Sequence, residues 1–163
     1  MLKKIIGVLS ALFISSSAIA NSEEPLLKLI PDNRVQMVAE AYSLDCVDFV
    51  KKSFNIELDY SNDSVLKLEP ILDSLSKYIR EKGMSDEDRI EYEKMFGFYI
   101  GETYRRNHSA VTWGDVYIDE VKYWAIGRED NNQAIFWPVA NVAKRIALGK
   151  EANIAVYYKA LIE

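Results

Sequence analysis

The sequence predicts an α+β fold in which a short antiparallel sheet of about four to five strands packs against about four to five helices. Three observations lead there. Apolar residues recur at helical spacing in several separate segments, and β-prone runs cluster between Ala110 and Trp137. Gly114-Asp115, Asp119-Glu120 and the polar stretch from Gly127 to Asn132 separate those runs as in an antiparallel meander.

The elements follow in chain order. Residues 1–20 read as a secretory signal peptide: Lys3 and Lys4 form a basic start, Ile5 to Ile14 is mostly apolar, and Ala18-Ile19-Ala20 ends the segment in the A-x-A manner. The apolar run is shorter than the ~20 residues a membrane helix needs, and Asn21 stands where a lipoprotein would have Cys. Residues 21–31 are expected as a mobile tail closing in a short apolar piece, and residues 32–163 as a single α+β domain. Asp32 or Asn33 can cap a helix to about Lys52, with Val35, Val38, Ala41, Tyr42, Val47 and Val50 among its apolar positions. Phe54, Ile56, Leu58 and Tyr60 alternate with polar residues, which predicts a half-buried strand. A second helix runs from Ser61-Asn62-Asp63-Ser64 to about Glu81, with Pro70 kinking it or marking its start and Gly83 ending it.

Ser85 and Asp88 form a capping arrangement before a third helix, Asp86 to Arg106. Met95, Tyr99, Tyr92, Phe96 and Ile100 share one face while Phe98 projects away, so this helix is expected to be covered on two sides. An interior Gly costs a helix about 1 kcal/mol relative to Ala. Gly97 and Gly101 on one strip therefore predict close packing by another backbone or a bulky ring. Strands are expected at Val111-Thr112-Trp113, Val116-Tyr117-Ile118, Val121 to Ile126 and Ala134 to Trp137. Pro138 then opens a helix whose stripe is Val139, Val142, Ala143 and Ile146, with Lys144-Arg145 pointing away. Gly149 caps it, and a last helix spans about Ala152 to Leu161.

The 163 residues carry 20 basic and 25 acidic side chains, a net charge of −5, and loss of Lys3 and Lys4 with the leader makes the remainder more acidic still. That balance disfavours a nucleic-acid or anionic-membrane partner and suits a basic protein partner. Cys46 is the only cysteine, so no intramolecular disulfide forms; a buried thiol is expected, with a disulfide between chains as the alternative. His108 is the only histidine and sits in a helix-end setting, so neither an ordinary zinc set nor any other metal or cofactor site is expected.

Two groups of residues carry the functional expectations. Asp115, Tyr117, Asp119, Glu120 and Tyr123 supply acids and aromatics in the strand region, as a binding surface for a basic protein would. Glu102 lies beside the glycine strip, and with a second carboxylate about 5–10 Å away it could act in glycan hydrolysis. Arg106, four residues on, offers it an ordinary helix ion pair instead. The leading expectation is an exported, non-enzymatic binding protein of the periplasm or beyond, such as an immunity or inhibitor protein against a basic envelope-acting toxin or hydrolase. The alternatives are an envelope glycan or peptidoglycan hydrolase using Glu102, and an assembly or chaperone factor using the terminal helices near Tyr157 and Leu161.

Gly97-Phe98-Tyr99-Ile100-Gly101-Glu102, then Trp113, then Phe136-Trp137-Pro138 with Val142 and Lys144-Arg145, resembles a family of small bacterial α+β proteins known only as a domain of unknown function. The family pattern is a G-x-x-x-G-E helix, a Trp strand and a P-x-x-x-V-x-K-R element, covering here Ser64 to Leu148. The resemblance implies a helix-covered antiparallel sheet, with Gly97, Gly101, Glu102, Trp113 and Pro138 as structural positions, and it implies no activity.

Overall fold

A computed structural model describes residues 27–163; the expected leader and most of the expected tail lie outside the described residues. The architecture is α+β. Strands β1 (Ile30–Pro31), β2 (Val111–Ile118), β3 (Val121–Arg128) and β4 (Ala134–Phe136) form an antiparallel sheet in that order. Helices α1 (Asn33–Phe54), α2 (Asn62–Leu66), α3 (Leu68–Lys82), α4 (Asp86–Asn107), α5 (Pro138–Leu148) and α6 (Ile154–Ile162) surround it, with a 3₁₀ turn at Gly149–Ala152 between the last two.

Asp32 caps α1 by accepting the Arg34 N–H at 2.9 Å, and Asn55 ends it in the left-handed region at φ 54°. The inward stripe of α1 is Val35, Ala39, Ser43, Cys46 and Val50. Cys46 is fully buried, and burial pushes its thiol far up, which leaves it unsuited to pairing with another chain.

The strand expected from Phe54 to Tyr60 is not formed: α1 takes Phe54, and the following residues pair with no strand. The alternation nevertheless sorts their burial correctly, with Ile56, Leu58 and Tyr60 turned inward and Asn55, Glu57 and Asp59 exposed. Side chains replace the missing ladder. The Tyr60 N–H donates to Tyr99 Oη at 3.0 Å, the Tyr60 carbonyl accepts from Asn107 Nδ2 at 2.8 Å, and the Glu57 carbonyl accepts from Lys67 Nζ at 3.1 Å. The second predicted helix is divided at Lys67, and Pro70 sits in the first turn of α3, where an N–H has no intrahelical acceptor to lose.

Residues 27–31, the apolar close of the expected tail, pack on the sheet. Ile30 and Pro31 pair with Asp115 and Gly114, while Leu29 N–H donates to Asn132 O at 2.7 Å and Ala134 N–H to Leu27 O at 2.9 Å. One short segment thus bonds to β2 and to the start of β4. Leu29 is fully buried against Val116 and Ala125. Gly114 makes this possible, because a Cβ there would strike Ile30 O and lie 2.9 Å from Leu29 Cγ. Gly114-Asp115 therefore does not break the strand as expected, and β2 runs through it.

Helix α4 is the centre of the larger core. Every residue from Phe96 to Tyr104 is buried, and Phe98 packs on Trp113 and Trp124 at ring separations of 5.3 and 5.2 Å. The glycine strip meets both kinds of neighbour anticipated for it. A Cβ on Gly97 would collide with the Val139 backbone, and one on Gly101 with the Trp113 ring and, at 2.9 Å, Pro138 Cγ.

Arg145 corrects a further expectation: it points into the protein and is fully buried. At 100° per residue, Arg145 falls about 20° from Pro138 and about 60° from Val142, at the edge of the buried arc of α5 that ends at Ile146. Its Nη2 lies 2.7 Å from Glu69 Oε1 and 3.0 Å from Asp73 Oδ1, both on α3, and its Nε bonds Glu69 at 2.9 Å. Glu69 also accepts the Ile154 N–H at 2.8 Å, so one ion cluster joins α3, α5 and α6.

Candidate functional site

The residues expected to form a binding surface are divided between the two faces of the sheet. Asp115 is almost buried on the helix-covered face, with Oδ2 3.5 Å from Lys122 Nζ and no hydrogen-bond partner for Oδ1 among the described residues. Tyr117, 52% exposed, follows it on the same face. Asp119 and Glu120 form the exposed hairpin tip, both at positive φ (49° and 65°), the pairing typical of a two-residue I′ turn. Tyr123 is half-buried on the opposite face, whereas Trp124 turns to Phe98. These side chains do not converge on one surface.

Glu102 is fully buried and saturated with donors. Trp113 Nε1 and Arg105 Nε each approach Oε1 at 2.8 Å, Arg105 Nη2 approaches Oε2 at 3.0 Å, and Arg106 Nε approaches Oε2 at 3.3 Å. The carboxylate is thus the hub that fixes the Trp113 ring over Gly101. Glu102→Gln is expected to lose about 1.5 kcal/mol, because an amide N–H₂ must then face at least one donor. Urea denaturation measures that loss, and the near-UV circular dichroism of Trp113 reports the local rearrangement. His108 is also structural, stacked on Tyr104 at 3.9 Å with Nδ1 2.8 Å from the Tyr104 carbonyl. Among the described residues no group of three or more His, Cys, Asp or Glu is placed to hold a metal ion, and no helix is long and apolar enough to cross a membrane.

A different set of acids and aromatics does converge. Between α1 and the first turns of α4 lies a groove of ≈ 510 Å³ lined by Tyr42, Asp45, Phe49, Met84, Asp88, Glu91, Tyr92 and Met95. Its position follows from two local rules. Ser85 caps α4 by accepting the Asp88 N–H at 3.1 Å, and the acidic first turn complements the helix dipole, which places Asp88 and Glu91 on one rim. On α1, Tyr42, Asp45 and Phe49 lie three and four residues apart and so share a face that forms the other rim. Phe49 and Tyr92 meet edge to face at 5.6 Å and supply an apolar floor.

The electrostatics of this groove favour a cation. Glu91 accepts from Lys94 Nζ at 2.7 Å and from Tyr42 Oη at 2.8 Å, and these bonds hold its carboxyl below the ordinary range, so it is ionised at neutral pH. Burial, reinforced by the bond to Glu91, pushes the Tyr42 phenol up and keeps it protonated. Lys94 Nζ lies 5.7 Å from the Tyr42 ring centroid, so one wall already holds an ammonium group between a ring and a carboxylate. Among the described residues, Asp45 and Asp88 take part in no ion pair, which leaves two carboxylates for an incoming positive charge.

A second cleft of ≈ 290 Å³ lies across α4, against β3 and α5, and includes Ile90, Glu93, Lys94, Lys122, Tyr123 and Trp124. Glu93 is buried, which raises its pKa, but Arg89 pairs with it directly. With that carboxylate neutralised and Lys94 and Lys122 nearby, this cleft has no counterpart to Asp45 and Asp88, the carboxylates of the first that lie outside the ion pairs among the described residues. Tyr123 is a candidate visible in the sequence, whereas the α1/α4 groove forms only in the fold. Its detectable signal is the aromatic, acid, aromatic spacing of Tyr42, Asp45 and Phe49 beside an acidic helix start at Asp86.

A family model described as "Domain of unknown function (DUF3806)" matches residues 72–158, a span that holds Gly97, Gly101, Glu102, Trp113, Pro138 and Arg145. No curated protein matches. Among solved structures, a 1.50 Å crystal structure from Bacteroides thetaiotaomicron VPI-5482 is similar, with a TM-score of 0.61 and 14% sequence identity. The match covers 90% of this chain and 51% of that one, so the chain spans about half the length of the structure it resembles. At that identity the likeness concerns the fold alone.

Proposed function

This chain belongs to the DUF3806 domain family, and on that premise we propose that it is an exported, non-enzymatic binding protein of a bacterial cell envelope that captures a basic protein partner. The observation that carries this reading is the α1/α4 groove, where three aromatic rings share the lining with Asp45 and Asp88, two carboxylates in no ion pair among the described residues, and with Glu91, which Lys94 already pairs. A lysine or arginine side chain entering it gains cation–π contact and a carboxylate together, an arrangement that Lys94 makes within the chain. The acidic balance of the sequence adds long-range attraction toward a basic surface, and the secretory character of residues 1–20 favours an envelope partner such as a toxin or hydrolase. The hydrolase alternative gains no comparable support, since Glu102 is buried and already accepts four hydrogen bonds.

Calorimetric titration with a cationic lysozyme, used as a basic envelope hydrolase, tests the reading. Binding is expected for native lysozyme and is lost when its lysines are succinylated. The double variant Asp45→Lys/Asp88→Lys is expected to weaken binding more than tenfold, beyond what a change in net charge alone gives at physiological salt. An equal loss from reversing Asp59 and Glu151, outside the groove, overturns the assignment of the site. Absence of any binding to native lysozyme overturns the partner class for this basic hydrolase.

A further inference from the structure

Helix α1 presents a second face that no other described element covers. Arg34, Met37, Ala41, Leu44 and Asp48 follow one another at steps of three and four residues, so at 100° per residue they fall within an arc of roughly 80°. All five are exposed: Met37 by 68%, Leu44 by 58% and the Arg34 side chain by 87%. Two long apolar side chains therefore stand in water on a helix whose opposite side is well packed. Tyr42 and Phe49 lie outside this arc and Asp45 lies just beyond its Arg34 edge, so the stripe adjoins the acidic groove without containing its aromatic rings.

From Arg34 to Asp48 the order along the stripe is cation, apolar, small, apolar, anion, with exposed Lys52 one turn further on, and the Arg34 to Asp48 part is self-complementary in one direction only. When a second α1 runs antiparallel with Ala41 at the two-fold axis, Met37 faces Leu44 and Arg34 faces Asp48, each pair occurring twice by symmetry. A parallel copy would oppose Arg34 to Arg34 and Asp48 to Asp48, so charge decides the orientation. Ala41 carries no bulk that would hold the helices apart at their crossing. Arg34 shares its charge with Asp32 through Nε at 3.0 Å and Nη2 at 2.7 Å, an exposed pair of the kind worth little and readily exchanged.

We propose that this face of α1 is the interface of an antiparallel, two-fold homodimer sealed by reciprocal Arg34 to Asp48 ion pairs. One helix face is a small interface, so the dimer is weak, with a dissociation constant on the order of 10–100 µM. Sedimentation equilibrium on the full chain and on Arg34→Asp, Asp48→Arg and the double variant tests it. Each single variant opposes like charges and is expected to raise the dissociation constant about tenfold or more, while the double variant restores it to within about threefold. The Asp32 cap accepts a backbone N–H and survives these changes, so far-ultraviolet circular dichroism should be the same for all four proteins. The proposal is overturned by a chain that stays monomeric at roughly 500 µM, by a dimer indifferent to the single variants, or by a double variant that fails to recover.

Discussion

Replacing Arg145 with alanine is expected to lower the unfolding free energy by about 3–5 kcal/mol, because Glu69 and Asp73 are then left in a partly buried site without their shared cation. Arg145 is fully buried and contacts both carboxylates, whose side chains are 15% and 21% exposed, so water moderates the loss only in part. Urea denaturation at neutral pH, followed by the shift in midpoint at constant slope, measures it. A pH series supplies a second signature. Bonds from Lys77 and then Arg145 hold the Asp73 carboxyl down to about 2, against an ordinary 3.8. A depressed carboxylate contributes stability that is complete above its unfolded value and lost as pH falls through its folded value. The alanine variant retains only the part of the depression due to Lys77, so the stability gap between the two proteins should narrow between pH 3.8 and about 2. A gap that stays constant through that window would show that Arg145 acts by packing alone.

The second large effect is expected at the glycine strip, where two opposing contributions decide the sign. Alanine is the better helix former by about 1 kcal/mol, so on an open helix face Gly101→Ala would stabilise. Here the new methyl group would occupy the space of the Trp113 ring and press on Pro138. Trp113 cannot withdraw without breaking its bond to Glu102, and Phe98 packs against the same ring. Overpacking of a fixed core costs about 1–3 kcal/mol and occasionally more, and with so little freedom the upper end applies, for a net loss of about 2 kcal/mol after the helix gain. Thermal unfolding of Gly101→Ala, with Gly97→Ala as the companion in which the obstacle is the Val139 backbone, measures both sites. A gain in stability at either position would mean that α5 and β2 shift to admit the methyl group.

The parts of this molecule legible in the sequence are those governed by local rules. Ser85 caps α4, Gly83 and Gly149 end helices at positive φ, and Asp119-Glu120 closes the hairpin because neighbouring residues alone set those conformations. The glycine strip was readable too, since an interior Gly pair has a cost that only a close neighbour explains. At Phe54 to Tyr60 the alternation reflects one-sided burial, and the absence of a partner strand is set by the rest of the fold. Arg145 was misplaced because charge suggests solvent, while Glu69 and Asp73 lie more than seventy residues earlier in the chain. The acidic groove was hidden for the same reason: Asp45 and Asp88 become neighbours only when α1 packs on α4.

The short segment that bonds to both β2 and the start of β4 has a consequence for the protein in crowded or partly unfolded states. A sheet of three antiparallel strands ends in two rows of unsatisfied backbone groups, either of which can template a foreign strand. Residues 28–31 occupy part of both rows at once, and Pro31 offers no N–H for continuing the ladder outward. Four residues thereby cover part of both edges against pairing with a foreign strand. Chains shortened to begin after Pro31 should keep their helices yet aggregate through the sheet.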